Sequence, residues 1–469
     1  MLKNMLAAFH WCPTMRYVAY QLITKWILFS GMAFLTPWIA SASQAPPDTQ
    51  SMTLNACIET ALENSPELKV SYGEQAFQAE AISLARSAFL PRIDALSGYT
   101  RFEYPMRVTQ AHENNEPGVF DRDLLETGIV FRLPVYQGGQ HRAELAIAQL
   151  GRLQAMEIWK GTRQDLILNL HAVFYKILQI DEVQRSAMAS MQALEAHKTT
   201  TRLQLEVGRV APVDVMKIDV RLAQIEQQLS SIQADRKALI AALLQLMGMD
   251  RANLIDVDIR GELKAHPTKL PNMALARKRA ENQRPELAAA RLELDRTKAG
   301  VKAARAVFLP QVDGFGTYSL RAAIPFDDDH EDAWSAGLQV NLPLFHGGAN
   351  IARLRQAEIR RKQADERHRA VTLKIETDLE QSLARLTDSL KRMEVNRKNM
   401  TLSSETFRIE QAKNEDGKSS INDLLDAQAA TLAAEVAHSQ SVMDYLLARV
   451  EWRRAVGTPL WPVAETGKE

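Results

Sequence analysis

Reactive sites need particular side chains at particular spacings, and this chain offers few. HENNE at 112–116 begins like a zinc-binding helical motif, but glutamate stands where the second histidine should be. DDDHED at 327–332 would attract a divalent cation, yet a charged run in a polar stretch is ordinarily just solvated. Cys57 reads as a small buried helix residue rather than a nucleophile. No phosphate-cradling glycine loop and no nucleophile elbow occurs. The expectation is a protein that is not an enzyme, with no cofactor and no metal. What does recur at fixed spacing is proline and glycine, whose chemistry is conformational.

The elements that these residues punctuate belong to an exported chain. Of 469 residues, 57 are basic and 57 acidic, a balance that gives no reason to expect nucleic acid. Lys3, Arg16 and Lys25 are the only charged residues before position 43. An apolar run, Trp26 to Ala40, follows them and leads into Ala40-Ser41-Ala42. That order is a secretory signal, and the run is shorter than the ~20 residues a spanning helix needs. Cleavage near Ala42 removes three positive charges, taking the net charge from 0 to −3, and removes Cys12. Cys57 then stands alone, so no internal disulfide framework is available.

The mature sequence repeats itself. SAFLPRIDALSGYT at 87–100 returns as AVFLPQVDGFGTYS at 306–319, and NSPEL at 64–68 as QRPEL at 283–287, both shifted by 219. LPVYQGG at 133–139 returns as LPLFHGG at 342–348, shifted by 209, and Gly208 and Gly248 match Gly417 and Gly457 at the same shift. The only length change lies between FLP and LPxxxGG. Gly139 to Gly208 and Gly348 to Gly417 are both 69 residues, proline-free and rich in helix formers. Each reads as one helix of roughly 100 Å. The return helices are expected at about 66–89, 213–247, 285–308 and 422–456.

Between FLP and LPxxxGG the period changes to two. Leu125, Thr127, Ile129, Phe131 and Leu133 alternate with Glu126, Gly128, Val130 and Arg132. Trp334 to Leu342 and Val312 to Ala322 alternate likewise, and 96–104 is read with Leu96, Phe102 and Tyr104 on the apolar face. Four strands of about 9–11 residues, apolar toward lipid and polar toward a lumen, fit a membrane barrel. A soluble sandwich shows the same alternation, but four strands are few for two sheets and the chain is exported. Four strands cannot close a barrel either, so the chain must oligomerise: two copies give a filled interior, three leave a lumen.

This order of helix, FLP, hairpin, LPxxxGG, long helix and glycine turn, given twice over about 52–457, resembles the outer membrane efflux protein family. The resemblance implies an α+β membrane protein: a homotrimer whose outer-membrane β-barrel, four strands per chain, continues into a long periplasmic α-helical barrel. It implies a passive exit duct in outer membrane lipid, recruited by an inner-membrane transporter through a periplasmic adaptor, with drugs, metal ions or polypeptide as cargo. The family's adaptor-facing tips match EVGRVAPVDV at Val207, Gly208, Arg209, Ala211 and Asp214, and EDGKSSINDLLDAQ at Gly417, Asp423, Asp426, Ala427 and Gln428, with Asp416 replacing a valine and Lys418 exposed beside Gly417. Independently of the family, glycine suits a helix C-terminus, Pro212 a first turn, Ser419 or Ser420 a cap, and the aspartates a helix N-terminus. Entrance-constriction candidates are Glu405, Arg408 and Glu410, a mixed set where the family often carries acids. The strand–helix junctions are Pro134, Gly138 and Gly139, and Pro343, Gly347 and Gly348. There the proline is expected to stop the ladder and the glycines to let the chain swing into a helix.

These readings divide the chain into a signal peptide (1–42), a first tunnel helix after an N-terminal segment (43–91), and a first hairpin (92–133). Then come the long helix, tip and return helix (134–248), an equatorial segment (249–284), and the second tunnel helix (285–310). The second hairpin (311–342), the second long helix with its tip and return (343–457) and a tail (458–469) complete it. A periplasmic adaptor also carries long paired helices, but with a single hairpin set in soluble β modules.

Overall fold

The computed structural model describes residues 50–107, 120–250, 257–323 and 330–461. The signal segment, HENNE, most of both hairpin tips and the first residues of DDDHED lie outside these. In chain order come β1 (Gln50–Met52), α1 (Leu54–Asn64), α2 (Pro66–Ser87), β2 (Arg92–Arg107), β3 (Phe120–Gln137), α3 (Gln140–Glu206) and α4 (Pro212–Met247). Then follow β4 (Val257–Ile259), α5 (Met273–Gln283), α6 (Pro285–Ala306), β5 (Gln311–Ala323), β6 (His330–Asn341), α7 (Ala349–Glu415) and α8 (Ile421–Val456). Helix lengths pair across the two halves: α2 and α6 have 22 residues, α3 and α7 have 67, α4 and α8 have 36. Pro66, Pro212 and Pro285 each open a helix, where a missing N–H leaves nothing unpaired.

The seams of the long pairs follow a heptad. On α4, Ile218, Leu222, Ile225, Leu229 and Ile232 are buried at alternating steps of four and three, against Ile180, Val183, Ala187 and Leu194 of α3. On α7 the buried residues Ile375, Leu379, Ser382, Leu386, Ser389 and Met393 keep the same rhythm. Such a, d spacing packs two helices side by side along their length. Around the middle of α3 a larger core collects Cys57, Ile58, Leu166, Ile167, Leu170, Phe174, Leu243 and Met247. Burial pushes the Cys57 thiol up to about 11, which leaves it protonated and inert at neutral pH. The elements with no counterpart in the sequence reading are α1, α5 and the short parallel pair β1–β4.

The helices form a wall rather than a bundle. α3 packs along α2, α4, α6 and α8, and α7 packs along α6 and α8, so α7 borders one side and α2 with α4 the other. Two neighbours lean toward the same side of α3. A Cβ on Gly151 would meet Gln78 Oε1 of α2 at 2.9 Å and Arg296 Nη1 of α6 at 4.0 Å. The opposite face, with Arg142, Gln149, Leu153, Met156 and Lys160, is exposed. The wall is therefore concave on its Gly151 side.

The antiparallel sheet has the order β2-β3-β5-β6, with 16, 18, 13 and 12 residues, longer than the nine to eleven expected. The ladders run past the apolar band into polar sequence. One face carries Ile93, Tyr99, Ile129, Phe131, Tyr318, Trp334, Leu338 and Val340, and the other Arg92, Asp94, Glu126, Arg132, Asp313, Thr317, Arg321 and Gln339. Two readings need correction. On β2 the apolar face is the odd-numbered set, because Leu96 pairs with Gly128 on the polar face; the register shift between Arg101 and Met106 separates Phe102 and Tyr104 from that frame. And Pro134 does not stop the ladder. It pairs with Asp313, and the strand continues through Tyr136 and Gln137 past a shift at Val135. A bulge lets the ladder pass a residue that has no donor. Pro343, by contrast, does lie beyond the end of β6.

The glycines carry the turn. Gly138 and Gly139 have φ of +61° and +86°, Gly347 and Gly348 +57° and +80°. A Cβ on Gly138 would also meet the Ala306 carbonyl oxygen at 2.5 Å, whereas Gly139 faces open space. Gly139→Ala should therefore cost about 1 kcal/mol of left-handed strain, and Gly138→Ala at least about 2 kcal/mol. Denaturant unfolding of the detergent-solubilised protein measures both, and equal losses would contradict this packing.

Candidate functional site

At the far end of the long helices the chain turns twice. α3 ends with Gly208 N–H donating to Leu205 O at 2.9 Å and Arg209 N–H to Gln204 O at 2.8 Å. α7 ends with Gly417 N–H donating to Asn414 O at 2.9 Å and Lys418 N–H to Lys413 O at 2.7 Å. Each is the paired bond of a glycine-terminated helix, and both glycines have φ +74°. The following helices are capped by their acids. Asp214 accepts from Ala211 N–H at 3.4 Å, and Asp423 from Ser420 N–H at 3.3 Å while Ser420 Oγ accepts from Asp423 N–H at 3.2 Å. Ser420 is thus the cap of α8; Ser419 instead donates to Glu410 at 2.6 Å. Hydrogen bonds from Ser420 hold the Asp423 carboxyl below the usual range.

The two turns differ in surface. Around the first, Leu203, Val207, Val213, Met216 and Val220 are all half or more exposed. The second is ionic: Lys418 pairs with Asp416 at 2.9 Å, and Asn414 Nδ2 donates to Ser419 O at 3.0 Å. That contrast could have been read from Val207, Val213, Met216 and Val220, because they fall outside the heptad seam that runs from Val215 through Ile218.

The constriction candidates separate. Arg408 embraces Glu405 through Nε at 2.9 Å and Nη2 at 2.6 Å, while Glu410 turns to Lys413 at 2.7 Å and to Ser419. These bonds hold both carboxyls below the usual range, Glu405 through Arg408 and Glu410 through Lys413 and then Ser419. All three side chains are locally paired, and no ring of free acid forms within the chain.

At mid-height lies a network that sequence reading missed. Arg284, 4 % exposed, reaches Asp378 of α7 at 3.0 Å and Glu286 at 3.1 Å; Arg454 of α8 reaches Glu286 at 3.2 Å and Asp165 of α3 at 2.6 Å. Burial opposes the charge on Glu286, but Arg284 and then Arg454 outweigh it and hold the carboxyl below the usual range. The position equivalent to Arg284 in the first half is Ser65, buried beside an apolar core. Among the described residues no group of three or more His, Cys, Asp or Glu is placed to hold a metal, and no helix is long and apolar enough to cross a membrane.

The described residues thus form a sheet with one apolar face, a concave helical wall, and two turns of different polarity at its end. Known proteins share this arrangement. The family described as Outer membrane efflux protein matches residues 57–249 and 276–458. The chain is 24% identical over 406 residues to outer membrane protein TolC of Vibrio cholerae, covering 85% of this chain and 89% of that one. It is 22% identical over 408 residues to outer membrane efflux protein BepC of Brucella suis, covering 87% and 86%. The crystal structure of the outer membrane protein VceC from Vibrio cholerae superposes with a TM-score of 0.73 at 18% identity, covering 86% of this chain and 96% of that one.

Proposed function

The chain belongs to the outer membrane efflux protein family, and on that premise we infer that it is the outer-membrane channel of a tripartite efflux or type I secretion system. It conducts passively, docked to a periplasmic adaptor and an inner-membrane transporter, and so the adaptor reading of the chain itself is set aside. The observation that carries this is one sheet with a lipid-compatible face, joined at one end to two 67-residue helices.

Three copies close the channel. β2 and β6 are free edges, and in lipid each unpaired backbone group costs several kcal/mol, so the edges must meet between chains. Four strands per chain make twelve in a trimer, enough for a lumen lined by the Arg92–Gln339 face. The wall repeats the argument. Gly138 is seated against Ala306 and Leu309 at the end of α6, while its counterpart Gly347 meets nothing within 4 Å. The counterpart of Ala306 is Ser87, at the end of α2 on the opposite border. A head-to-tail ring brings the α2 of the next copy to the empty seat.

The internal pairing of β3 with β5 then supplies the register between chains. Phe131 pairs with Gly316, so shifts of 209 and 219 set Val340 opposite Ser97 of the next copy. Both shifts are odd, which keeps apolar faces together.

The tips at Val207, Gly208, Arg209, Ala211 and Asp214, and at Gly417, Lys418 and Asp423, receive the adaptor, the first through apolar contact and the second through ions. Outer-membrane extraction with detergent, followed by a mass measurement, tests the reading: three chains per particle are expected, and a protein soluble without detergent contradicts it.

A further inference from the structure

The concave side of the wall holds an arginine ladder. Arg353, Arg360 and Arg367 stand seven residues apart on α7, about 10 Å per step, and line a cleft of ≈ 540 Å³ together with Arg296 of α6. Lys374, seven residues on, faces the adjoining mid-height cleft. The cleft opens where Gly300 and Ala304 leave α6 low, and Ile147 beside Gly151 places it on the concave side of α3.

The three arginines of α7, unlike Arg296, have no acidic partner among the described residues. Arg353 bonds to the neutral Asn350 at 3.1 Å, and no acidic partner is present for Arg360 or Arg367 among the described residues. Of the acids nearby, Glu293 lines the cleft and pairs there with Arg296 at 3.1 Å, while Glu358 is engaged with Arg305 at 3.4 Å and Glu366 with Arg369 at 3.9 Å. A solvated face on a helix ordinarily interleaves both signs, as α7 does outside this stripe.

We propose that this ladder is an anion-conducting track in the tunnel lumen and that the cargo carries carboxylate, sulfonate or phosphate groups. The proposal rests on the closed trimeric channel above, where three ladders face one space. Guanidinium forks suit such groups, and a cleft with a net positive lining, four arginines against Glu293 alone, enriches counter-ions roughly 10-fold or more. The mixed Glu405, Arg408 and Glu410 set at the other end offers no opposing filter, since its charges are paired.

The test is reversal potential in planar bilayers across a potassium chloride gradient, with the purified full-length trimer. Chloride should permeate several-fold better than potassium. The R353Q/R360Q/R367Q variant should lose that preference, and the charge-keeping R353K/R360K/R367K variant should retain most of it. Conductance that prefers potassium, or a preference that the glutamine variant leaves unchanged, would overturn the anion track alone. A protein that inserts but carries no current at all would overturn the channel reading as well.

Discussion

Gly208→Asp and Gly417→Asp should each abolish export while leaving the amount of trimer unchanged. Both glycines have φ +74° and face open space, so a side chain there clashes with nothing in the chain. Aspartate tolerates the left-handed conformation better than most residues, which limits the structural cost to about 1 kcal/mol. What changes is the surface offered to the adaptor: a carboxylate beside exposed Val207, or a second one beside the Asp416–Lys418 pair. Burying an unpaired charge at an interface costs several kcal/mol, enough to reduce docking a hundredfold or more. Drug susceptibility of cells and trimer yield from their membranes are the readouts. Normal efflux in both variants would refute the tip assignment.

Arg284→Ala should be the most damaging change within the wall. It takes the buried guanidinium away from Asp378 and leaves Glu286 to Arg454. Removing one partner of a buried pair costs about 3–5 kcal/mol, and these carboxylates are about a third exposed, which argues for about 3 kcal/mol. The network also sets an acid dependence. The Glu286 carboxyl lies below its unfolded value, so its contribution is complete above the unfolded carboxylate range and disappears as pH falls through the lower folded value. Unfolding followed by helical circular dichroism should show wild type losing stability in that acidic window and Arg284→Ala losing less there. Identical slopes would remove the network from the account.

Much of this architecture was legible because it is written twice. The equal intervals from Gly139 to Gly208 and from Gly348 to Gly417 announce rigid elements, and each holds a 67-residue helix. The alternation in β3, β5 and β6 was readable because the sheet has one apolar and one polar face. β2 misled because Leu96 is apolar on the polar face and a register shift follows Arg101. Pro134 misled because a bulge, which depends on the partner strand, decides whether a proline ends a ladder. β1 and β4 are three residues each, too short for any period. The Arg284 network joins residues up to 289 positions apart through single charges, and nothing local marks them. The arginine steps of α7 were visible as residues, but only the cleft beside α6 shows that they line one space.

The central claim is that β6 of one copy pairs with β2 of the next in a ring of three. Oxidative cross-linking of a Ser97→Cys, Val340→Cys protein in the outer membrane tests it most directly. The account predicts covalent dimer and trimer on a denaturing gel and nothing larger, with little cross-linking when the cysteine is moved from Ser97 to Gly98. Failure to cross-link, a product within one chain, or ladders beyond three chains would contradict it.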